Sequence, residues 1–170
     1  MTKEIEIKLK IEKEDQIQKK LLELGGISEK IYKQTTHGFF SENSIVKGIF
    51  PRIREEQGVA ILTVKVKEKK KTNYFERKEY STKLDNAKEG VDILKALGFT
   101  KIREFKKERQ EWKFIKVKVA LDKLYFGIFL EIEGSKKEIE TMVKLLGFQN
   151  KERITKAYLA LEDEYKQGKL

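Results

Sequence analysis

Residues 4–12, EIEIKLKIE, alternate without interruption between charged and aliphatic side chains. Successive side chains of a β-strand point to opposite faces. One face of this segment therefore carries Glu4, Glu6, Lys8, Lys10 and Glu12, and the other carries Ile5, Ile7, Leu9 and Ile11. The period of two recurs along the chain. GIFPRIREE sets Arg52 and Arg54 two apart, and AILTVKVKE aligns Thr63, Lys65 and Lys67. YFERKEYS aligns Arg77 with Glu79, EFKKERQEWKF aligns Lys107, Arg109 and Glu111, IKVKVAL aligns Lys116 with Lys118, and IFLEIEG aligns Glu131 with Glu133. These seven segments read as strands.

Helical stripes lie between them. EDQIQKKLLELGG places Ile17, Leu21 and Leu24 on one side, DNAKEGVDILKALGF places Val91, Leu94 and Leu97, and SKKEIETMVKLLGF places Ile139, Met142, Val143 and Leu146. Each ends in Leu-Gly, at Gly25, Gly98 and Gly147, where a left-handed glycine stops a helix. Ser135 with Glu138 forms a capping-box pattern, and ERITKAYLALEDEYKQG reads as a fourth helix. The short links EEQGV and KEKKKTN read as hairpin connections, so the expected fold is α+β, a largely antiparallel sheet with helices outside it. With 170 residues and one proline, the chain reads as a single domain, 1–170.

The chemistry open to such a chain is narrow. It has no cysteine and a single histidine, His37, which excludes thiolate and multi-histidine metal sites and leaves carboxylates for any metal. The formal net charge of +10 favours a polyanionic partner. No long apolar run suggests a membrane span, and the expected location is cytoplasmic.

The strand faces then admit two arrangements. In an ordinary half-buried sheet the aliphatic face packs on a core and the charged face is solvated. Here, however, the same-face pairs are nearly all fully ionic and mostly sorted by sign, and like charges side by side on a sheet repel. The alternative is a barrel with its aliphatic residues outward, under the helices, and its charges lining the lumen. That lumen would suit a ligand with anionic oxygens and a hard cation: carboxylates hold Mg²⁺ or Mn²⁺, and arginine and lysine hold phosphate.

Glu4-Ile-Glu6-Ile-Lys8 matches the ExExK signature of the CYTH family, the triphosphate tunnel metalloenzymes that include class IV adenylyl cyclases and thiamine triphosphatases. IFPRIREEQGVAILTVKVKE resembles its RIR strand, hairpin and LTxK strand, ERKEY its RxEY element, and KKERQEW its KxR motif. LDKLYFGIFLEIEG resembles its DxxxxLGxFxEIE element through Asp122, Gly127, Phe129, Glu131 and Glu133, and ITKAYLAL its KSYxxLL element through Lys156 and Tyr158. The resemblance runs from residue 4 to about 161 and implies a closed β-barrel tunnel with a charged lumen.

The resemblance assigns Lys8, Glu4 and Glu6 to catalysis. It places Lys8, Arg52, Arg54, Lys65, Lys67, Arg77, Lys107, Arg109 and Lys156 on phosphates, and Glu4, Glu6, Glu79, Asp122, Glu131 and Glu133 on Mg²⁺ or Mn²⁺. The substrate it implies is a small triphosphate: ATP, cyclised to cyclic AMP and pyrophosphate, or tripolyphosphate or thiamine triphosphate, hydrolysed on the same residues. The family also often forms homodimers. With no histidine among the matched residues, the general base is Lys8, another lysine or a metal-bound hydroxide, which implies an alkaline optimum. A nucleic-acid module is the rival from charge alone. It is disfavoured because the aromatics of YFERKEY and QEWKF do not systematically share a face with the basic residues, and the glutamate pairs would repel phosphate without a metal. A non-catalytic polyphosphate binder is the other rival.

Overall fold

The computed structural model describes residues 2–67 and 73–170. In chain order the elements are β1 (Thr2–Ile11), α1 (Glu14–Glu23), β2 (Ile27–Ser28), β3 (Tyr32–Phe40), α2 (Glu42–Lys47), β4 (Ile49–Glu56), β5 (Val59–Lys67) and β6 (Phe75–Leu84). They continue with α3 (Ala87–Ala96), β7 (Lys101–Lys113), β8 (Val117–Leu124), β9 (Gly127–Gly134), α4 (Lys136–Leu146) and α5 (Tyr158–Lys166). The strand order is β2-β7-β3-β4-β5-β6-β1-β9-β8, and β7 also pairs with β8. Eight long strands thus close into a circuit, the largely antiparallel β-barrel of an α+β fold.

Contacts along the chain group into two units, one of Met1–Lys3, Lys33–Lys71 and Glu76–Lys106 and one of Glu4–Tyr32, Thr72–Phe75 and Lys107–Leu170. In the second unit the aliphatic faces of β1, β8 and β9 contribute Ile7, Leu9, Ile11, Val119, Leu121, Leu130 and Ile132 to one buried cluster. Ile17 and Leu21 of α1 and Ile139, Met142, Val143 and Leu146 of α4 complete it. At about 25 cal/mol per Å² of buried apolar surface, this is where the unit gains most of its stability. Helices therefore cover the aliphatic side of the sheet, and the charged side chains alternate onto the other face. In the first unit Phe39, Ile53 and Leu94 form a smaller core, with Leu62, Leu84, Val91 and Phe99 packed on it. Arg52 and Arg54, neighbours of Ile53 in β4, fall on the opposite face by the same alternation.

Local chemistry sets the helix ends as expected. Gly25, Gly98 and Gly147 all adopt positive φ, and Ser135 and Glu138 exchange the two hydrogen bonds of a capping box. The EEQGV link makes a turn with Gln57 and Gly58 at φ 49 and 76 between β4 and β5. Most of KEKKKTN, residues 68–72, lies outside the described residues.

Four elements depart from the reading of the sequence, among them β2 and β3, which none of the seven alternating segments marked. The fourth helix begins only at Tyr158, because Ile154 is extended and exchanges both backbone hydrogen bonds with Lys8 of β1, at 3.2 and 2.9 Å. Residues 41–48 form a short helix that the apolar stripes did not mark. Ser41 and Ser44 cap it reciprocally, and Gly48 closes it at φ 66. A Cβ at Gly48 would stand 2.7 Å from Cβ of Lys67. Gly48→Ala is expected to cost about 1–2 kcal/mol through the left-handed backbone alone, measured as a shift in the urea midpoint.

Candidate active site

The register of β1 on β9 builds the central charged face. Glu6 stands opposite Glu133, and Lys8 stands opposite Glu131. Arg109 of β7 stands opposite Asp122 of β8. Strand alternation thus carries Glu6, Lys8, Arg109, Asp122, Glu131 and Glu133 onto one face of the four paired strands β1, β9, β8 and β7.

Asp122 is the hub of this face and is fully buried. Its carboxylate accepts from Lys107 Nζ at 2.9 Å, from Arg109 Nε and Nη2 at 2.6 Å each, and from the Tyr158 hydroxyl at 2.7 Å. Arg109 Nη2 also donates to Glu131, and Lys8 Nζ donates to Glu6 and lies 3.4 Å from Glu131. Three cations and three carboxylates therefore interlock in a buried network, where charge-assisted bonds are strong and an unpaired charge is costly.

The network sets its own protonation. Burial lowers the pKa of Lys8, but the charges of Glu6 and Glu131 outweigh it and hold the ammonium above the ordinary lysine range. Lys8 thus stays charged, which suits a phosphate contact better than a general base. For Lys107, burial and the neighbouring Arg109 prevail over Asp122 and bring the pKa down to about 8. Burial and the Asp122 charge raise Tyr158 well above the usual phenol value, so its hydroxyl remains a donor.

The first unit presents a second charged face. Cross-strand pairs align Gln34, Thr36 and Gly38 of β3 with Glu56, Arg54 and Arg52 of β4, and Lys65 of β5 with Glu79 of β6. Arg54 Nη2 lies 3.3 Å from Glu56, and Lys65 Nζ lies 3.1 Å from Glu79. Arg52 forms no ion pair among the described residues, and its buried Nε has no hydrogen-bond partner there. An arginine in that state is suited to an incoming anion. Thr63 and Ser81 share a hydrogen bond at 3.0 Å, and Ser81 also donates to Glu79.

Not every sequence candidate reaches these faces. The Lys156 side chain is 55% exposed and, just ahead of α5, pairs with Glu164 of that helix. Lys67 is exposed at the end of β5, opposite Arg77, whose Nη1 donates to the Glu76 carbonyl. Glu4 is half-buried, and Glu133 lies 3.7 Å from Lys118. His37 lies on β3 between Glu55 and Glu104, at 3.4 and 3.5 Å. Tyr158 is the site residue that sequence reasoning undervalued: it stood in a matched motif but was given no role.

Among the described residues no group of three or more His, Asp or Glu is placed to hold a metal ion. The carboxylates nevertheless suit one kind of ion. Glu6 and Glu133 are direct cross-strand partners, a like-charged pair of hard oxygen donors. Mg²⁺ characteristically takes one or two carboxylates and completes its shell with water and substrate phosphate. The pair fits an ion that arrives with a phosphate chain, with Glu4 and Glu131 the next carboxylates along each strand.

A family model for the CYTH domain matches residues 2–158. A Methanocaldococcus jannaschii protein, whose name assigns it provisionally as an adenylate cyclase, is 29% identical over 150 residues, covering 84% of this chain and 83% of that protein. Among solved structures, a conserved hypothetical protein of Pyrococcus furiosus superposes with TM-score 0.77 at 26% identity, over 93% of this chain and 99% of its own. A Hippeastrum protein, named for adenylyl cyclase and described as having a dominant triphosphatase activity, superposes with TM-score 0.62 at 18% identity, over 98% and 97% of the two chains. The ExExK strand, the RIR strand, the KxR strand and the EIE strand all fall within the matched span, and the chain belongs to the CYTH domain family.

Proposed function

We propose that this protein is a divalent-metal-dependent enzyme that processes a triphosphate, with class IV adenylyl cyclase chemistry as the first reading. The observation that carries it is the buried network of Lys8, Lys107 and Arg109 on the sheet face away from the helix-packed core. Cations fixed in this way need no reorganisation when phosphate arrives, and in a water-poor site they act on it strongly. Arg109 presents a planar guanidinium for bidentate contact, and Lys8 a permanent point charge. The family resemblance also assigns Arg52, Arg54, Lys65, Lys67, Arg77 and Lys156 to phosphate, and this reading keeps them as candidate ligands.

Glu6 and Glu133 would hold Mg²⁺ or Mn²⁺, with Glu4 and Glu131 as further carboxylates. Asp122, whose oxygens already accept from Lys107, Arg109 and Tyr158, would serve the cations instead, and Glu79 stays with Lys65 in the first unit. When bound, the ion would neutralise phosphate charge and make an attacking oxygen more acidic. In the cyclase reaction the ribose 3′-oxygen bonds to the α-phosphorus as the bond to the pyrophosphate oxygen breaks. In hydrolysis a water oxygen bonds to the terminal phosphorus as its bond to the bridging oxygen breaks, so that the diphosphate leaves and the attacked group becomes orthophosphate. The protein's part is the same in both: orienting the chain and absorbing its charge. The triphosphatase activity ascribed to the Hippeastrum structural neighbour favours hydrolysis of inorganic or thiamine triphosphate as the second reading.

Purified protein supplied with ATP, tripolyphosphate or thiamine triphosphate, with Mg²⁺ or Mn²⁺ at alkaline pH, distinguishes these by product chromatography. Cyclic AMP with pyrophosphate is the expected result. Orthophosphate from tripolyphosphate without cyclic AMP establishes the hydrolase. No metal-dependent turnover of any of the three overturns the enzyme reading in favour of a polyphosphate-binding module.

A further inference from the structure

Tyr158 opens α5 without a side-chain cap at the preceding position, and it is 5% exposed. Its ring lies 4.9 Å from Lys107 Nζ and 5.5 Å from Lys8 Nζ, measured to the centroid. Phe129 meets the ring edge-on at 5.5 Å. The hydroxyl donates to Asp122, the same carboxylate that accepts from Lys107 and Arg109.

A tyrosine in an ordinary core needs apolar neighbours and one acceptor. This one adds a ring that two ammonium groups from separate strands each lie over, both within the range of about 6 Å over which a ring quadrupole attracts a cation. The carboxylates hold each lysine by separate contacts, Lys8 through Glu6 and Glu131 and Lys107 through Asp122. The ring draws both toward one point. Unlike a further carboxylate, it does so without neutralising their charge, which remains available to an anion.

We propose that Tyr158 is the positioning residue that holds Lys8 and Lys107 together as a pair of phosphate-binding ammonium groups. The inference rests on reading this cluster as the phosphate site. Within the motif that contains both residues, it moves the functional weight from the exposed Lys156 to the buried Tyr158.

Two variants of the full chain separate ring from hydroxyl: Tyr158→Phe keeps the ring, and Tyr158→Leu removes it. Tripolyphosphate is titrated calorimetrically into each, and KM and kcat are measured with Mg²⁺. Tyr158→Leu is expected to weaken binding by about tenfold or more and to raise KM more than it lowers kcat, while Tyr158→Phe stays within about threefold of wild type. Unchanged affinity in the leucine variant overturns the proposal, as does an equal loss in both.

Side-chain NMR of ¹³C-labelled lysine, assigned with Lys8→Arg and Lys107→Arg, gives a reading that requires neither turnover nor a folded leucine variant. The ε-methylene signals of both lysines are expected upfield of the other lysines in wild type and in Tyr158→Phe. Absence of that displacement overturns the inference. Displaced signals in a wild-type protein that neither binds nor turns over triphosphate would overturn the proposed function while leaving Tyr158 as the group that pairs the two lysines.

Discussion

Replacing Asp122 by alanine is expected to lower folding stability by about 3–5 kcal/mol, the range found when one partner of a buried ion pair is removed. Asp122 has no solvent exposure and accepts four hydrogen bonds, from Lys107, twice from Arg109 and from Tyr158. Without it, Lys107 loses its bonded carboxylate, and Arg109 keeps Glu131 at close range and Glu111 at 3.7 Å. The cost is chiefly that of burying one poorly compensated cation, Lys107, rather than of losing four contacts. Asp122→Asn, which keeps the shape and some accepting capacity, should fall between alanine and wild type. Urea unfolding monitored by circular dichroism measures all three. The double variant Asp122→Ala/Lys107→Met tests the cause, because removing the stranded lysine should recover part of the loss. A loss below about 1 kcal/mol for the single variant would mean that water reaches that cation, and the description of a buried network would fall.

This network also marks how far the sequence alone could be read. Strict alternation placed Glu6, Lys8, Arg109, Glu131 and Glu133 on charged strand faces, and the three Leu-Gly stops adopt the left-handed backbone expected of them. Such signals are legible because they are local: a strand period needs two residues, and a helix stop needs one glycine. What could not be read was partnership at a distance. Nothing in LDKLY says that Asp122 will accept from residues 13, 15 and 36 positions away. Nothing in ERITKAY says that Ile154 will leave its helix pattern to pair with Lys8. Tyr158 was obscured for the same reason: an aromatic at the head of an apolar stripe reads as core, and only the folded chain brings two lysines over its ring. Lys156, which the resemblance placed on phosphate, is exposed beside Glu164.

The largest expected effect on activity belongs to the Glu6 and Glu133 pair. Substituting both by glutamine should reduce metal-dependent kcat by at least about a hundredfold while leaving the chain folded. Glutamine retains the shape and a carbonyl donor but removes the charge that makes two opposed carboxylates a site for a hard cation. The fold should survive because these two residues repel each other across β1 and β9, so neutralising both relieves a like-charge contact. Lys8 keeps Glu131 at 3.4 Å after Glu6 is neutralised, so the adjoining cation is not stranded. The variant therefore separates two roles that Asp122→Ala would confound, charge for the ion and charge for the fold. The decisive readings are kcat against Mg²⁺ or Mn²⁺ concentration, together with the affinity for tripolyphosphate in the absence of metal. A rightward shift of the metal titration with metal-free tripolyphosphate binding retained or strengthened would assign the pair to the ion. An unchanged metal titration would remove Glu6 and Glu133 from the metal site and leave the carboxylates as counter-charges to Lys8, Lys107 and Arg109.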